Sequence, residues 1–185
     1  MKSIFDPEKH HRRSIRLKGY DYASGGAYFV TIVTQGRACV FGEIFNEEMH
    51  LNEYGVIVQK WWNEIRIHFP NVETDAVVIM PNHVHGIITI SEESRGEVLS
   101  PQNERNQNNP HRSTLGQIIA YFKYQSTKEV NFINNTGTIT KLWQRNYYEH
   151  IICNQNELQQ KTNYILGHPS RWKDDQENPL KNRQV

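Results

Sequence analysis

The segment AVVIMPNHVHGIITI, residues 76–90, organises the rest of this chain. It contains two short apolar runs separated by Pro81 and Asn82. Proline presets φ at the first position of a turn, and asparagine tolerates the second position. The segment therefore predicts two antiparallel β-strands joined by a tight turn.

The second of these strands carries two histidines, His83 and His85, two residues apart. Side chains alternate along a strand, so both histidines point to the same face. The opposite face is expected to point into the core and holds Val84, Ile88 and Ile90. Two neighbouring imidazoles make a poor apolar core, whereas neutral imidazole is a common metal ligand. The pair alone leaves two hypotheses open: a metal site, or two half-buried histidines that hydrogen-bond to their neighbours.

Length and composition limit the class of protein. A chain of 185 residues is expected to form one domain with short extensions. No apolar run is long enough for a transmembrane helix, and the N-terminus lacks the apolar segment of a secretory signal. Cys39 and Cys153 have no metal-type spacing. These features predict a cytoplasmic protein without a membrane partner and without a disulfide framework.

Charge is distributed unevenly along the chain. Residues 1–18 carry six basic and two acidic side chains, residues 19–110 five and twelve, and residues 111–185 ten and six. Basic ends suit a polyanionic partner, although solvated tails would look the same. The N-terminal segment is predicted to be a basic arm in which Arg12, Arg13 and Arg16 contact phosphates, or else a terminus without a role.

Apolar periodicity predicts an irregular alternation of strands and helices. The predicted strands or extended pieces are 28–34, 37–45 and the end of 142–152, and the predicted helices are 52–69, 114–130 and 155–167. Trp61 falls in the apolar stripe of the first helix, with Trp62 beside it. Thr114 and Asn154 fit the N-caps of the second and third helices.

This order predicts the α+β class: a ferredoxin-like or RRM-like sandwich with an antiparallel sheet and the helices packed on one face. The other face would then be free to bind a ligand. The predicted organisation is the arm 1–18, a domain at 19–172 with a polar loop at about 91–112, and a tail at 173–185. An exposed sheet edge could also pair two copies into a homodimer.

Three motifs in order, MPNHVHGII, LWQRNYYEHII and NYILGHPSRW, resemble those of the REP-associated tyrosine transposases. More widely, the chain is similar to the HUH single-strand transposases that use one catalytic tyrosine. The resemblance runs from about Tyr20 to Trp172. It implies that His83 and His85 are paired ligands of a divalent metal ion, Mg²⁺ or Mn²⁺. It further implies that the nucleophile is Tyr164.

The same resemblance implies the reaction and the substrate. The tyrosine would nick and join single-stranded DNA through a 5′-phosphotyrosine, at a repeat that forms a hairpin. His168 stands where relatives have an asparagine or glutamine that can help to ligate the metal, and histidine is a stronger ligand for transition metals. His168 also follows Tyr164 by four residues, which makes the two neighbours on a helix surface.

Several alternatives stay open. Predicted DNA contacts are Lys123, Arg145, Tyr147 and Tyr148, by charge and by base stacking, although each could be ordinary surface. Tyr121 and Tyr124 are rival nucleophiles. One rival function is a non-catalytic binder of structured DNA or RNA that keeps the fold; another is a metal-dependent phosphoesterase that uses water. His150 could support the metal site or could be a buried polar residue.

Overall fold

The computed structural model describes residues 25–91, 113–134 and 141–181. The predicted basic arm with Arg12, Arg13 and Arg16 lies outside these ranges, as does nearly all of the predicted polar loop. The roles proposed for those residues stay predictions.

Six strands and three α-helices make up the described part of the chain. In order they are β1 (Gly26–Val33), β2 (Gly42–Phe45), β3 (Glu48–Leu51), α1 (Glu53–His68), β4 (Val72–Ile79), β5 (His83–Ile90), α2 (Leu115–Asn134), β6 (Tyr148–Ile152) and α3 (Gln155–Leu166). Short 3-10 segments occur at Gln35–Arg37 and Pro169–Asp174. No helix within the described ranges has both the length and the apolar character needed to cross a membrane.

The main sheet has four strands in the order β4-β5-β1-β6, and every neighbouring pair is antiparallel. With α1 and α2 inserted between strands, this is the order expected for a split β-α-β arrangement of ferredoxin-like type. β2 and β3 form a separate small hairpin before α1. The predicted α+β class and the antiparallel sheet are confirmed.

The predicted helix N-caps are also observed. Asn154 Oδ1 accepts a hydrogen bond from the Glu157 N–H at 2.9 Å. Thr114 and Gln117 form a reciprocal box, in which Gln117 Oε1 accepts from the Thr114 N–H at 2.8 Å and Thr114 Oγ1 accepts from the Gln117 N–H at 3.3 Å. Such caps satisfy N–H groups that have no partner inside the helix, so they define where α2 and α3 begin.

The helices do not all lie on the same face of the sheet. α1 and α2 pack over the face that holds Tyr28, Val30, Ile32, Val84 and Ile88, and this layer is the main core. α3 packs on the opposite face, where its Ile165 meets Phe29, Ile87 and Ile152. The expectation of helices on one face therefore holds for α1 and α2 only. The central strands present apolar side chains on both faces, and burying the second set favours a second helical layer.

Gly86 on β5 lets a large aromatic ring approach the sheet. A Cβ atom at this position would lie 2.2 Å from Cζ2 and 2.4 Å from Cη2 of Trp62, whose side chain is fully buried. Trp62 is thus the core tryptophan of α1, and Trp61 lies at the rim, half-buried. The predicted stripe had Trp61 in the buried position, which is wrong by one residue.

We expect Gly86→Ala to destabilise the protein by about 1–3 kcal/mol, because overpacking against a closely packed ring forces backbone or rotamer shifts. Urea denaturation monitored by tryptophan fluorescence would measure this loss. Gly167→Ala is the matched control, since its Cβ would meet nothing closer than 3.4 Å. Equal stability of Gly86→Ala and the wild type would contradict the packing described for Trp62.

Candidate functional site

The second face of the sheet carries a row of polar side chains beside α3. The register of β1 with β5 sets Thr31 opposite His85 and Val33 opposite His83. On the other side of β1, Thr31 is paired with Tyr148 of β6. Two histidines, a threonine and a tyrosine therefore lie on adjacent strands at one end of this face, as the period of two along each strand requires.

Four potential metal ligands converge at this place: His83, His85, His168 and Asp175. Each offers one ligand atom, and these atoms all lie within 4.8 Å of one another. All four residues are buried, with at most 8% of their surface exposed. His168 follows the end of α3 at the start of the Pro169–Asp174 segment, which leads directly to Asp175. The short 3-10 turn thus brings two residues that are seven apart to the same site.

Asn82 fixes the orientation of the His83 ring. The Asn82 Nδ2 donates to the carbonyl oxygens of Arg37 at 3.0 Å and Glu177 at 2.7 Å, so its Oδ1 is left to accept. His83 Nδ1 lies 2.9 Å from this oxygen and must donate to it. The proton therefore resides on Nδ1, and Nε2 keeps a free lone pair. Asn82, which the sequence predicts as a turn residue, thus also orients a metal-ligand candidate.

The two histidines of β5 are held in their neutral forms. Burial lowers the pKa of His83 to about 4, with Asp175 opposing and His168 adding to the shift. Burial also lowers the pKa of His85 well below its usual value, and His83 adds to this effect. Thr31 Oγ1 lies 2.8 Å from His85 Nδ1 and anchors that ring. Neutral imidazoles with anchored Nδ1 atoms are the form that metal coordination requires.

Asp175 supplies the negative charge of the cluster. Its Oδ2 accepts a hydrogen bond from His168 Nε2 at 2.5 Å and lies 3.5 Å from His83 Nε2. Burial raises the pKa of Asp175, but the hydrogen bonds from His168 and from the backbone N–H of Glu177 outweigh burial and hold the pKa at about 2. Sequence reasoning missed Asp175, which follows the predicted domain end at Trp172 by three residues. No local motif marks it.

These four residues fit a divalent metal ion. His83 Nε2 and His168 Nδ1 are buried and have no hydrogen-bond partner in the described part of the chain. Leaving a buried polar atom unpaired costs about 1–3 kcal/mol, so such atoms call for a partner. Imidazole nitrogens together with one carboxylate form a donor set that transition metals favour. The cluster could therefore hold a metal ion.

Tyr164 lies beside this cluster. Its ring centroid is 4.8 Å from that of His168, 5.4 Å from that of His85 and 5.9 Å from that of Phe29. The side chain is half-buried and lines an open cleft of about 840 Å³ that His85, His168 and Tyr148 also line. Burial raises the pKa of Tyr164, Asp175 adds to this increase, and Arg171 opposes it. The predicted proximity of Tyr164 and His168 is thus observed.

The predicted DNA contacts divide between two places. Tyr148 lines the cleft, whereas Lys123 and Arg145 line a separate groove of about 640 Å³ along α2. The Lys123 Nζ donates to the carbonyl oxygens of residues 144, 145 and 146 at 2.7, 3.3 and 3.2 Å, and lies 6.0 Å from the Tyr147 ring centroid. Burial, with help from Lys141, lowers the pKa of Lys123 to about 8.

The rival tyrosines and His150 lie apart from the cluster. Tyr121 stacks on His68 with centroids 4.0 Å apart, and Tyr124 lines the groove along α2. His150 Nε2 lies 2.5 Å from Glu157 Oε1, a contact that ties β6 to the first turn of α3. Neither Tyr121, Tyr124 nor His150 lines the cleft beside Tyr164.

Two proteins of known sequence are similar to this chain. An uncharacterized protein of Haemophilus influenzae is 43% identical over 170 residues, which cover 90% of this chain and 93% of that protein. Another protein of the same organism, named as a candidate REP-associated tyrosine transposase, is 27% identical over 156 residues, which cover 80% and 73%. No model of a protein family matches the chain.

Among solved structures, a REP-associated tyrosine transposase bound to a REP hairpin is similar, with a TM-score of 0.55. The match covers 94% of this chain and 76% of that one at 18% sequence identity. At this identity the likeness concerns the fold.

Proposed function

We propose that this chain is a REP-associated tyrosine transposase, and that it nicks and joins single-stranded DNA with Tyr164 as the nucleophile. The observation that carries the proposal is the position of the Tyr164 ring, 5.4 Å from His85 and 4.8 Å from His168, at the open side of a buried cluster of three histidines and one aspartate. A phenol in a solvent-accessible cleft next to four metal-ligand candidates is suited to attack a phosphate.

The proposed reaction exchanges one phosphoester bond for another. Tyr164 Oη attacks the phosphorus of one DNA linkage, the new O–P bond forms and the P–O3′ bond breaks. The phenol gives up its proton, and the departing 3′ oxygen takes one up. The product is a 5′-phosphotyrosine and a free 3′-hydroxyl, and attack by a 3′-hydroxyl reverses the step. Phenolate is a good leaving group, so joining needs no other source of energy.

We propose that His83, His85, His168 and Asp175 together hold a divalent cation, Mg²⁺ or Mn²⁺. Such an ion would polarise the scissile phosphate and offset the charge that develops there. Asn82 and Thr31 would keep the β5 imidazoles oriented toward it through their contacts with the Nδ1 atoms. With three nitrogen donors the site would favour Mn²⁺ over Mg²⁺, which prefers oxygen ligands.

A hairpin-forming single strand is the proposed substrate. The similar solved structure is a protein bound to a REP hairpin. In this chain Tyr148, 52% exposed, lines the cleft beside Tyr164, and an exposed tyrosine can stack on an unpaired base. We infer that an unpaired segment next to a hairpin stem enters this cleft.

A denaturing gel tests the proposal. A labelled single-stranded hairpin oligonucleotide from the DNA that flanks the gene would be incubated with the protein and Mg²⁺ or Mn²⁺. We expect a protein-linked DNA band and a product with a 3′-hydroxyl, both lost with EDTA. Tight binding without any cleavage in either metal would favour a non-catalytic binder, and cleavage without an adduct would favour hydrolysis by water.

The basic groove along α2 gives a separate prediction. We expect Arg145→Ala to weaken binding of the hairpin oligonucleotide across sequences and to reduce the salt slope by about 1, as loss of one phosphate contact does. Lys123→Ala should instead lower the melting temperature, because three backbone carbonyls lose their donor. Fluorescence anisotropy at several salt concentrations and thermal melting would separate the two effects. If Lys123→Ala melts like the wild type and its salt slope falls by about 1, the Lys123 ammonium is a DNA contact instead.

A further inference from the structure

The cleft beside Tyr164 contains two basic side chains whose role the reaction above does not use. Lys161 and Arg171 both line it, together with the acidic residues Asp174, Asp175 and Glu177. Two of these carboxylates already have partners: Asp175 accepts from His168, and Glu177 pairs with Arg37 at 2.7 Å. Neither Lys161 nor Arg171 forms an ion pair with another residue in the ranges 25–91, 113–134 and 141–181.

Lys161 and Arg171 lie on the helix and on the 3-10 segment that also position Tyr164 and the histidine cluster. Lys161 lies three residues before Tyr164 on α3, so the two are neighbours on one helix surface. Its Nζ is 4.9 Å from the centre of the Phe29 ring, which is itself 5.9 Å from the Tyr164 ring. Contact with an aromatic face positions an ammonium group without neutralising its charge.

Arg171 lies on the segment that joins His168 to Asp175. It lies on the 3-10 segment Pro169–Asp174, and its backbone N–H donates to the carbonyl oxygen of His168 at 2.9 Å. Its side chain is exposed in the cleft, so its guanidinium can reach an incoming ligand. A guanidinium presents parallel N–H groups that match two oxygens of a phosphate, while an ammonium acts as a point charge.

We propose that Lys161 and Arg171 form the binding subsite for the scissile phosphodiester group, holding its non-bridging oxygens while Tyr164 attacks. This inference rests on the proposed function. A phosphodiester carries one negative charge, and attack by the phenol concentrates more charge on the same oxygens. Two cations that line the cleft beside Tyr164 would stabilise that charge more than they stabilise the free substrate, so they would accelerate the step.

Single-turnover cleavage at saturating hairpin oligonucleotide tests the subsite. We expect Lys161→Met and Arg171→Gln each to slow adduct formation by about 10-fold to 100-fold, with metal affinity and melting temperature unchanged. Methionine keeps an apolar side chain of similar length and removes the ammonium group that lies over Phe29. Lys173→Ala is the matched control, because Lys173 is an exposed cation of the same 3-10 segment that does not line the cleft. Its rate should equal that of the wild type.

An uncharged linkage in the oligonucleotide shows whether Lys161 and Arg171 contact the phosphate or have only a structural role. The scissile linkage, once mapped with the wild type, would be replaced by an uncharged methylphosphonate. The wild type should bind this oligonucleotide about tenfold more weakly than the normal one. Arg171→Gln should show a smaller difference between the two oligonucleotides, because only Lys161 and the metal site would still favour the charged linkage. If the wild type forms the adduct and both variants form it at the wild-type rate, the subsite is wrong and the proposed function stands. If the wild type forms no adduct with any linkage, the proposed function itself fails.

Discussion

Tyr164→Phe is expected to abolish the covalent protein–DNA adduct and to reduce cleavage by about 10⁴-fold or more, as loss of a nucleophile does in other covalent enzymes. Phenylalanine retains the ring that contacts Phe29 and His85 and removes only the hydroxyl. Hairpin affinity, metal affinity and melting temperature should therefore stay close to those of the wild type. The denaturing gel would measure the loss of the adduct, and a binding assay on the same preparation would measure the unchanged hairpin affinity.

Tyr121→Phe and Tyr124→Phe are the matched controls for this prediction. Both tyrosines lie on α2 away from the cleft, and Tyr121 keeps its stacking on His68 when only the hydroxyl is removed. Both variants should form the adduct at the wild-type rate. If Tyr164→Phe still cleaves and one of these variants does not, the nucleophile has been assigned to the wrong helix.

The second large effect is expected for His83→Ala, which removes a buried imidazole whose Nε2 has no hydrogen-bond partner among the described residues. Loss of an orienting neighbour of a ligand typically costs 10-fold to 100-fold in metal affinity, so loss of a ligand should cost more than about 100-fold. Cleavage should fall to background. Isothermal titration with Mn²⁺ gives the affinity independently of any activity, and melting with and without Mn²⁺ gives the accompanying loss of metal-dependent stabilisation.

Two further variants bracket this result. Asn82→Ala should weaken Mn²⁺ binding by about 10-fold to 100-fold, because the His83 ring loses the acceptor that fixes its Nδ1–H. His50→Ala, at an exposed histidine on β3, should bind Mn²⁺ like the wild type. Wild-type Mn²⁺ affinity in a correctly folded His83→Ala protein would exclude His83 from the metal site.

The sequence predicts the fold where the two-residue period of a strand or the 3.6-residue period of a helix is enough to assign each side chain to a face. Successive side chains of a strand point to opposite faces of the sheet. The sequence of β5 therefore predicts that His83 and His85 lie on one face and Val84 and Ile88 on the other. α1 carries two adjacent tryptophans, Trp61 and Trp62, in its middle, and the helical period of 3.6 does not decide which of the two neighbours is buried. The choice of Trp62 depends on Gly86, a residue of another element that leaves room for the ring. The position of α3 on the second face similarly depends on which strands surround Phe29 and Ile87.

Only those site residues could be predicted that lie close together in the sequence on one strand or helix. The two residues of β5 share a strand face, and Tyr164 and His168 share a helix surface. Asp175 joins them through a 3-10 turn whose geometry no spacing rule encodes. Lys123 was predicted from its charge alone. The carbonyls of residues 144–146 that hold its ammonium come from a distant segment and have no distinctive sequence pattern.

Mapping of the DNA-linked peptide tests the central claim most directly. After the reaction, nuclease digestion would leave a short nucleotide remnant on the protein, and trypsin would release the three candidate tyrosines on separate peptides. Tyr164 lies in 162–171, Tyr121 in 113–123 and Tyr124 in 124–128. We predict that mass spectrometry finds the nucleotide on the peptide 162–171, attached to Tyr164. A remnant on 113–123 or 124–128, or cleaved DNA with no modified peptide, would contradict the account.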